Sequence, residues 1–185
     1  MSLIEFHRNL VADAGRNEAF AAALRRVLRR GHPTVADIGA GTGLLAFLAR
    51  RYGAAEVHVY ECSPVIELAQ ELARRNGIDG LYFYNQHSTR VKRPTRVDVV
   101  VSETLGNYAY EENILETLGD AVQRHLKPEG IVIPQRIRQY VAPVTSSRFF
   151  AELRVWDRLG FELDMDAACE TSLNNLYVRT FNPDD

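Results

Sequence analysis

Apolar residues along the first 134 positions follow two spacings, one typical of strands and the other typical of helices. Short apolar runs bounded by turn residues predict strands at 35–38, 56–61, 81–84, 97–101 and 131–133. Apolar positions three or four residues apart predict amphipathic helices between them. Because strands that alternate with helices form parallel sheets, the pattern predicts an α/β fold with a mostly parallel sheet and helices on both faces.

The alternation changes after Pro134. Residues 139–144 and 176–179 have the composition of strands, and 148–168 is expected to form one or two short helices. We therefore expect two domains. The first covers 1–134 and includes an N-terminal helix, and the second is a short β/α extension over 135–185.

Composition and charge narrow the range of partners. The chain has 185 residues, of which 46% are apolar, and a net charge of −2, so no broad basic field predicts nucleic-acid binding. The longest apolar runs fall short of the roughly 20 residues that span a bilayer, so no membrane association is expected. Two distant cysteines, with neither disulfide nor metal-site spacing, and no signal-peptide pattern favour a cytoplasmic protein without a metal.

A glycine-rich loop follows the first predicted strand, in the sequence Asp37-Ile38-Gly39-Ala40-Gly41-Thr42-Gly43. Glycines at the carboxyl end of a parallel strand let the backbone approach a ligand closely. A dinucleotide fingerprint has a small residue at its last position, where this chain has Leu44, so a dinucleotide-dependent oxidoreductase is disfavoured. Glu61 ends the second strand, where a carboxylate can accept hydrogen bonds from both hydroxyls of a ribose. Together these features predict a nucleoside cofactor.

Two acids bracket the loop after the fourth predicted strand. Glu103 ends that strand, and Glu112 returns at the start of the next helix. Like charges that share a cavity repel each other unless a cation lies between them. Guanidinium suits paired carboxylates because it is planar and carries five N–H donors. The pair therefore predicts a cationic substrate.

The glycine loop resembles motif I of the class I methyltransferases, and the acidic loop resembles the double-E loop of the protein arginine methyltransferases. Further likeness extends over His7–Arg16, Glu61–Ser63, 126–130, 133–134 and 156–162, and so covers nearly the whole chain. The resemblance implies a Rossmann-like methyltransferase fold, S-adenosylmethionine as cofactor, and methyl transfer to a guanidinium nitrogen of protein or peptide arginine. It also implies that 156–162 corresponds to the arm through which family members form dimers, so a homodimer is possible.

The same resemblance assigns site residues. Glu103 and Glu112 are expected to be catalytic, gripping and polarising the guanidinium. Arg16 is expected to meet the carboxylate of the cofactor, and His7 to lie over the cofactor. The full set of expected cofactor contacts is His7, Arg16, Asp37, Gly39, Gly41, Gly43, Glu61 and Thr89.

Two departures from the family keep alternatives open. Where the family has an acid that contacts adenine, this chain has His87-Ser88-Thr89-Arg90, so adenine recognition is expected to use the backbone near Thr89. The sequence also ends before the T-H-W loop of the family's C-terminal barrel. An N-methyltransferase for another amine or small molecule, and a cofactor-binding but inactive fragment, therefore remain alternatives.

Overall fold

The computed structural model describes residues 3–29, 31, 33–106, 109 and 113–179. Contacts within the chain divide it into two compact units, Met1–Ile137 and Arg138–Asp185. The boundary lies shortly after Pro134, where the sequence pattern changes. In the part of the chain that the structure describes, no helix combines the length and apolar character needed to cross a membrane.

The first unit contains one five-stranded sheet with the order β3-β2-β1-β4-β5. Every neighbouring pair in it is parallel. The strands are β1 Thr34–Ile38, β2 Glu56–Glu61, β3 Leu81–Asn85, β4 Val97–Ser102 and β5 Leu126–Ile133. β5 begins earlier than predicted, because Leu126 already pairs with Val97 before an irregularity precedes the regular register from Ile131.

Five helices of the first unit are described. They are α1 Leu3–Ala12, α2 Ala14–Val27, α3 Leu44–Arg51, α4 Val65–Arg75 and α5 Ile114–Asp120. Asp13 caps the start of α2, because its side chain accepts a hydrogen bond from the Arg16 backbone N–H. α5 continues directly into a π-helical turn, Ala121–His125, and a short 3-10 turn, Ser88–Arg90, follows β3.

Side chains that alternate along the strands build a core on each face of the sheet. On one face Val35, Val57 and Val99 pack with Leu24 of α2 and Ala46 of α3. On the other face the partners are the π-helical turn and the end of α5, through the side chains Ala36, Tyr60, Val100, Ala121 and Leu118. This arrangement confirms the predicted Rossmann-like α/β fold with a parallel sheet and helices on both faces.

Over its described residues, 138–179, the second unit contains helices and no sheet. α6 Ser147–Leu153, a 3-10 turn at Val155–Arg158 and α7 Asp166–Leu173 confirm the prediction of short helices. The strands predicted at 139–144 and 176–179 were wrong, because neither segment has regular structure. Their apolar residues suit a strand, but a strand also needs a neighbouring strand to pair with, and neither segment pairs with a strand among the described residues. Val141, for example, is 99% exposed. The assignment of 135–185 as a partial barrel and dimerisation arm stays a prediction.

Leu24→Ala is expected to lower the free energy of unfolding by about 3 kcal/mol, because a fully buried leucine leaves a cavity when it is truncated. Leu115→Ala is the matched control, since Leu115 is 66% exposed, and it should change the free energy by less than about 0.5 kcal/mol. Urea unfolding of the two variants measures the difference. Equal losses would contradict the assignment of α2 to the core.

Candidate functional site

A cavity of about 500 Å³ opens at the carboxyl ends of the strands. It lies around β1, whose neighbours β2 and β4 run to opposite edges of the sheet, which is the switch point where open α/β sheets bind ligands. The volume is within the range of small-molecule sites. The predicted site residues that line it are His7, Arg16, Asp37, Gly39, Gly41, Glu61 and Glu103.

The glycine loop depends on the absence of side chains. Gly39 and Gly41 have φ of 72° and 54°, a left-handed conformation that residues with a Cβ rarely adopt. A Cβ on Gly41 would lie 2.7 Å from the His7 ring, and a Cβ on Gly39 would lie 2.5 Å from the Thr104 side chain. His7 therefore packs directly on the glycine loop. Gly43 lies just outside the lining and begins α3.

Glu61 is fixed by two backbone N–H groups. Gly41 donates to one carboxylate oxygen at 2.9 Å, and Ser63 donates to the other at 2.7 Å. Each oxygen keeps a further lone pair with which to accept a ligand hydroxyl. The carboxylate is thus held in one orientation at the cavity wall.

Asp37 is a buried carboxyl group without a hydrogen-bond partner. Its exposure is 1%, and neither side-chain oxygen makes a hydrogen bond in the described structure. Burial, and to a smaller extent the negative charge of Glu61, raise the pKa of Asp37 to about 7. The backbone amide of Ala46 acts in the opposite direction and lowers the pKa of Asp37, although its position does not satisfy the geometry of a hydrogen bond to either carboxyl oxygen. Asp37 therefore offers unused acceptors to a ligand in the cavity.

Arg16 and Glu103 form an ion pair inside the site. The Arg16 guanidinium donates to the Glu103 carboxylate at 2.7 Å, and both side chains are about four-fifths buried. Arg16 also donates to the Leu10 carbonyl at 2.5 Å and to the Asn17 side chain at 3.1 Å, while its Nε has no partner. The ion pair was not predicted, because the sequence assigned the two residues to different ligands.

The turn after β3 forms one end of the cavity through His87 and Ser88. Thr89 is not among the lining residues; its hydroxyl lies 2.8 Å from Nδ1 of His87, and its carbonyl accepts a bond from Arg124. Its role as a cofactor contact stays a prediction.

Three lining residues that were not predicted as site residues carry a buried hydroxyl. The hydroxyls of Ser63, Ser88 and Thr117 have no hydrogen-bond partner among the described residues. For Thr117 the available signal was a threonine between the apolar positions Ile114 and Leu118 of α5. Glu112 lies outside the described residues, so its predicted pairing with Glu103 stays a prediction.

Comparison with protein-family models identifies the class of protein. The model described as ribosomal protein L11 methyltransferase (PrmA) matches residues 20–142, so the chain belongs to this methyltransferase family. Its homologues include protein arginine N-methyltransferases. A rice (Oryza sativa subsp. japonica) protein arginine N-methyltransferase PRMT10 is 32% identical over 150 residues, which cover 78% of this chain and 39% of the rice protein. The chain therefore spans less than half of that relative.

Solved structures agree with this relationship. A Trypanosoma brucei PRMT1 enzyme–prozyme complex with AdoHcy superposes with a TM-score of 0.83 at 25% identity, over 90% of this chain and 53% of that chain. Arabidopsis thaliana protein arginine methyltransferase 10 has a TM-score of 0.72 at 23% identity, over 90% of this chain and 52% of that one, which supports the fold alone. The likeness to the arginine methyltransferases that the motifs indicated is confirmed.

Asp37→Asn is expected to change the pH dependence of stability. The folded-state pKa of Asp37, about 7, lies above its ordinary value of 3.8, so the wild type loses stability as the pH rises from 4 to 7. The stability of Asp37→Asn relative to the wild type should rise over that interval by about 4 kcal/mol and then level off. Chemical unfolding at several pH values measures this.

Asp79→Asn is the control. The pKa of Asp79 is lowered by its hydrogen bond and charge interaction with Arg50 at the surface, so its removal should give a small effect in the opposite direction. A difference between Asp37→Asn and wild type that stays constant from pH 4 to pH 8 would contradict the perturbed pKa.

Proposed function

We propose that this chain carries the catalytic site of an S-adenosylmethionine-dependent methyltransferase whose substrate is a guanidinium nitrogen of protein arginine. The observation that carries the proposal is the contact between Glu103 and a guanidinium group at 2.7 Å, made within the cavity by the chain's own Arg16. A carboxylate that holds one guanidinium there is suited to hold another. Homology to protein arginine N-methyltransferases supports the same substrate class.

The cavity has polar groups without hydrogen-bond partners that match the polar groups of S-adenosylmethionine. Glu61 has lone pairs available for a ribose, Asp37 has two buried oxygens without partners, and Arg16 Nε is an unused donor. We assign the ribose to Glu61, the amino group of the methionine part to Asp37, and its carboxylate to Arg16, with His7 over the cofactor. The purine is assigned to the end of the cavity formed by His87 and Ser88. The AdoHcy in the Trypanosoma complex supports this cofactor.

The chain's residues would act by binding and orientation. The cofactor, when bound, supplies a methyl group already activated by its sulfonium. Arg16 exchanges Glu103 for the cofactor carboxylate, and this exchange frees Glu103 to bind the substrate. Glu103, together with Glu112, then orients the guanidinium and draws its positive charge toward the carboxylates. Since a free guanidinium group stays protonated at neutral pH, its proton leaves with or after the transfer.

Assembly and location are further parts of the proposal. Residues 156–162 are proposed as a dimerisation arm, and exposed apolar side chains around them, such as Phe161 at 85% and Leu163 at 65%, support a contact surface. The Trypanosoma relative is a heterotetramer, which supports oligomerisation. We assign the protein to the cytoplasm. Sedimentation that gives a monomer at all concentrations would remove the dimer from the proposal.

Glu103→Gln tests the catalytic assignment. Glutamine keeps the shape of glutamate but loses its charge, so methyl transfer to an arginine-rich peptide should fall by about 100-fold or more. The dissociation constant for S-adenosylhomocysteine should not rise by more than about threefold, because the loss falls on the substrate side and Arg16 stays available to the cofactor carboxylate. Mass spectrometry of the peptide and titration calorimetry provide the two readouts.

Glu67→Gln on the exposed face of α4 is the control, and it should leave both quantities unchanged. Equal losses of binding and transfer in Glu103→Gln would contradict its role. A wild-type chain that methylates only small amines, or that binds S-adenosylhomocysteine without methylating any arginine peptide, would contradict the arginine assignment.

A further inference from the structure

Arg124 binds the backbone of the turn 88–91, which forms one end of the cavity. Its guanidinium donates to three carbonyls of the turn, namely those of Val91 at 2.6 Å, Thr89 at 3.0 Å and Ser88 at 3.2 Å. Arg124 lies in the π-helical turn after α5 and is not among the residues that line the cavity. A side chain with several donors in a fixed plane is suited to hold backbone carbonyls in one arrangement.

Arg124 is itself fixed. Asp120, one turn earlier, accepts two hydrogen bonds from it at 2.6 and 2.7 Å. This bidentate contact raises the pKa of Arg124 further above its ordinary value. The guanidinium therefore bridges a carboxylate on its own helix and the backbone of the turn.

His125 adds a second contact from the same helical turn. The residue is fully buried, and its Nε2 lies 3.3 Å from the Ser88 carbonyl. Burial lowers the pKa of His125, so the neutral ring is favoured, with the proton on Nε2 donating to the carbonyl. Two neighbouring side chains thus converge on the backbone of Ser88. Helical turns of the π type occur often at functional sites.

These contacts determine what the turn presents to the cavity. The Ser88, Thr89 and Val91 carbonyls accept bonds from Arg124 and His125, while the side chains of His87 and Ser88 line the cavity. Nδ1 of His87 is engaged by the Thr89 hydroxyl at 2.8 Å, and the buried Ser88 hydroxyl has no partner. The Ser88 hydroxyl therefore remains available at this end of the cavity, and Arg124 fixes the backbone that carries it.

We propose that Arg124 is a positioning residue for purine recognition, which fixes the turn 88–91 so that its cavity side can read the edge of the adenine ring. This inference rests on the proposed function, since it takes the purine to lie at the His87–Ser88 end. Arg124 acts through the turn and does not touch the cofactor. The turn that Arg124 holds overlaps His87-Ser88-Thr89-Arg90, the segment in which this chain lacks the acid that contacts adenine in the family it resembles.

Arg50 provides a matched control within the same unit. It also bridges backbone carbonyls and a carboxylate, donating to Ala55 and Asp79 carbonyls at 2.7 Å, to the Ala54 carbonyl, and to the Asp79 side chain. None of these partners lines the cavity. Loss of Arg50 should therefore reproduce the structural cost of losing such a bridge without affecting the ligand.

The experiment measures binding of S-adenosylhomocysteine and S-inosylhomocysteine by titration calorimetry to the wild type, Arg124→Met and Arg50→Met. The inosine ligand replaces the adenine amino group by a carbonyl oxygen and so changes the edge that is read. Arg124→Met should weaken S-adenosylhomocysteine about tenfold and reduce the preference over the inosine ligand about fivefold. Arg50→Met should lower Tm to a similar degree and leave both dissociation constants within about twofold.

Arg124→Lys serves as the second variant if the methionine variant does not fold. Lysine keeps the charge but cannot reach several carbonyls in one plane, so it should also lose part of the adenine preference. An unchanged preference in a folded Arg124 variant, or equal weakening of both ligands, would overturn the inference and leave the proposed function intact. A wild type that binds neither ligand would overturn both.

Discussion

The hydrogen bond from the Gly41 N–H to the Glu61 carboxylate joins the ends of two neighbouring strands, and the cavity depends on it. The bond requires the backbone of the glycine loop to turn back toward β2, in a conformation that excludes most other residues. It also leaves room for the His7 ring to pack on the loop. The parallel sheet contributes by bringing β1 and β2 into register, so that the loop and the acid meet at one edge.

Negative charge is concentrated at that edge, and most of the chemistry follows from it. Asp37, Glu61 and Glu103 line the same cavity, where Arg16 is the cation that contacts one of them directly. Burial raises the pKa of Asp37 to about 7, so partial protonation of this carboxyl group relieves some of the repulsion at neutral pH. A ligand that carries positive charge and hydrogen-bond donors would relieve the repulsion, and an adenosyl sulfonium together with a guanidinium has both.

Local sequence patterns were sufficient for the features that depend on neighbouring residues. The strands of the first unit, the glycine loop and Glu61 follow from apolar spacing and from glycine and acid at strand ends. The Arg16–Glu103 pair could not be read in this way, because the two residues are 87 positions apart and only the fold brings them together. The contacts of Arg124 could not be predicted for the same reason, since its partners at 88–91 lie in a different segment of the sequence.

In the second unit, local sequence patterns predicted strands that the structure does not contain among the described residues. Residues 139–144 and 176–179 have the composition of strands but lack a strand neighbour among the described residues, so their composition did not determine their structure. The short helices of the same unit were predicted correctly because a helix satisfies its backbone hydrogen bonds within itself. The local sequence was therefore sufficient to predict the helices of this unit but not the conformation of its extended segments.

The cofactor site can be tested with a crystal structure of this chain bound to S-adenosylhomocysteine. We expect the ribose hydroxyls within about 3 Å of the Glu61 carboxylate, the purine beside His87 and Ser88, and the homocysteine carboxylate on Arg16 in place of Glu103. A ligand that binds away from the carboxyl ends of β1 and β2, or one that leaves Glu61 without a ribose contact, would contradict it.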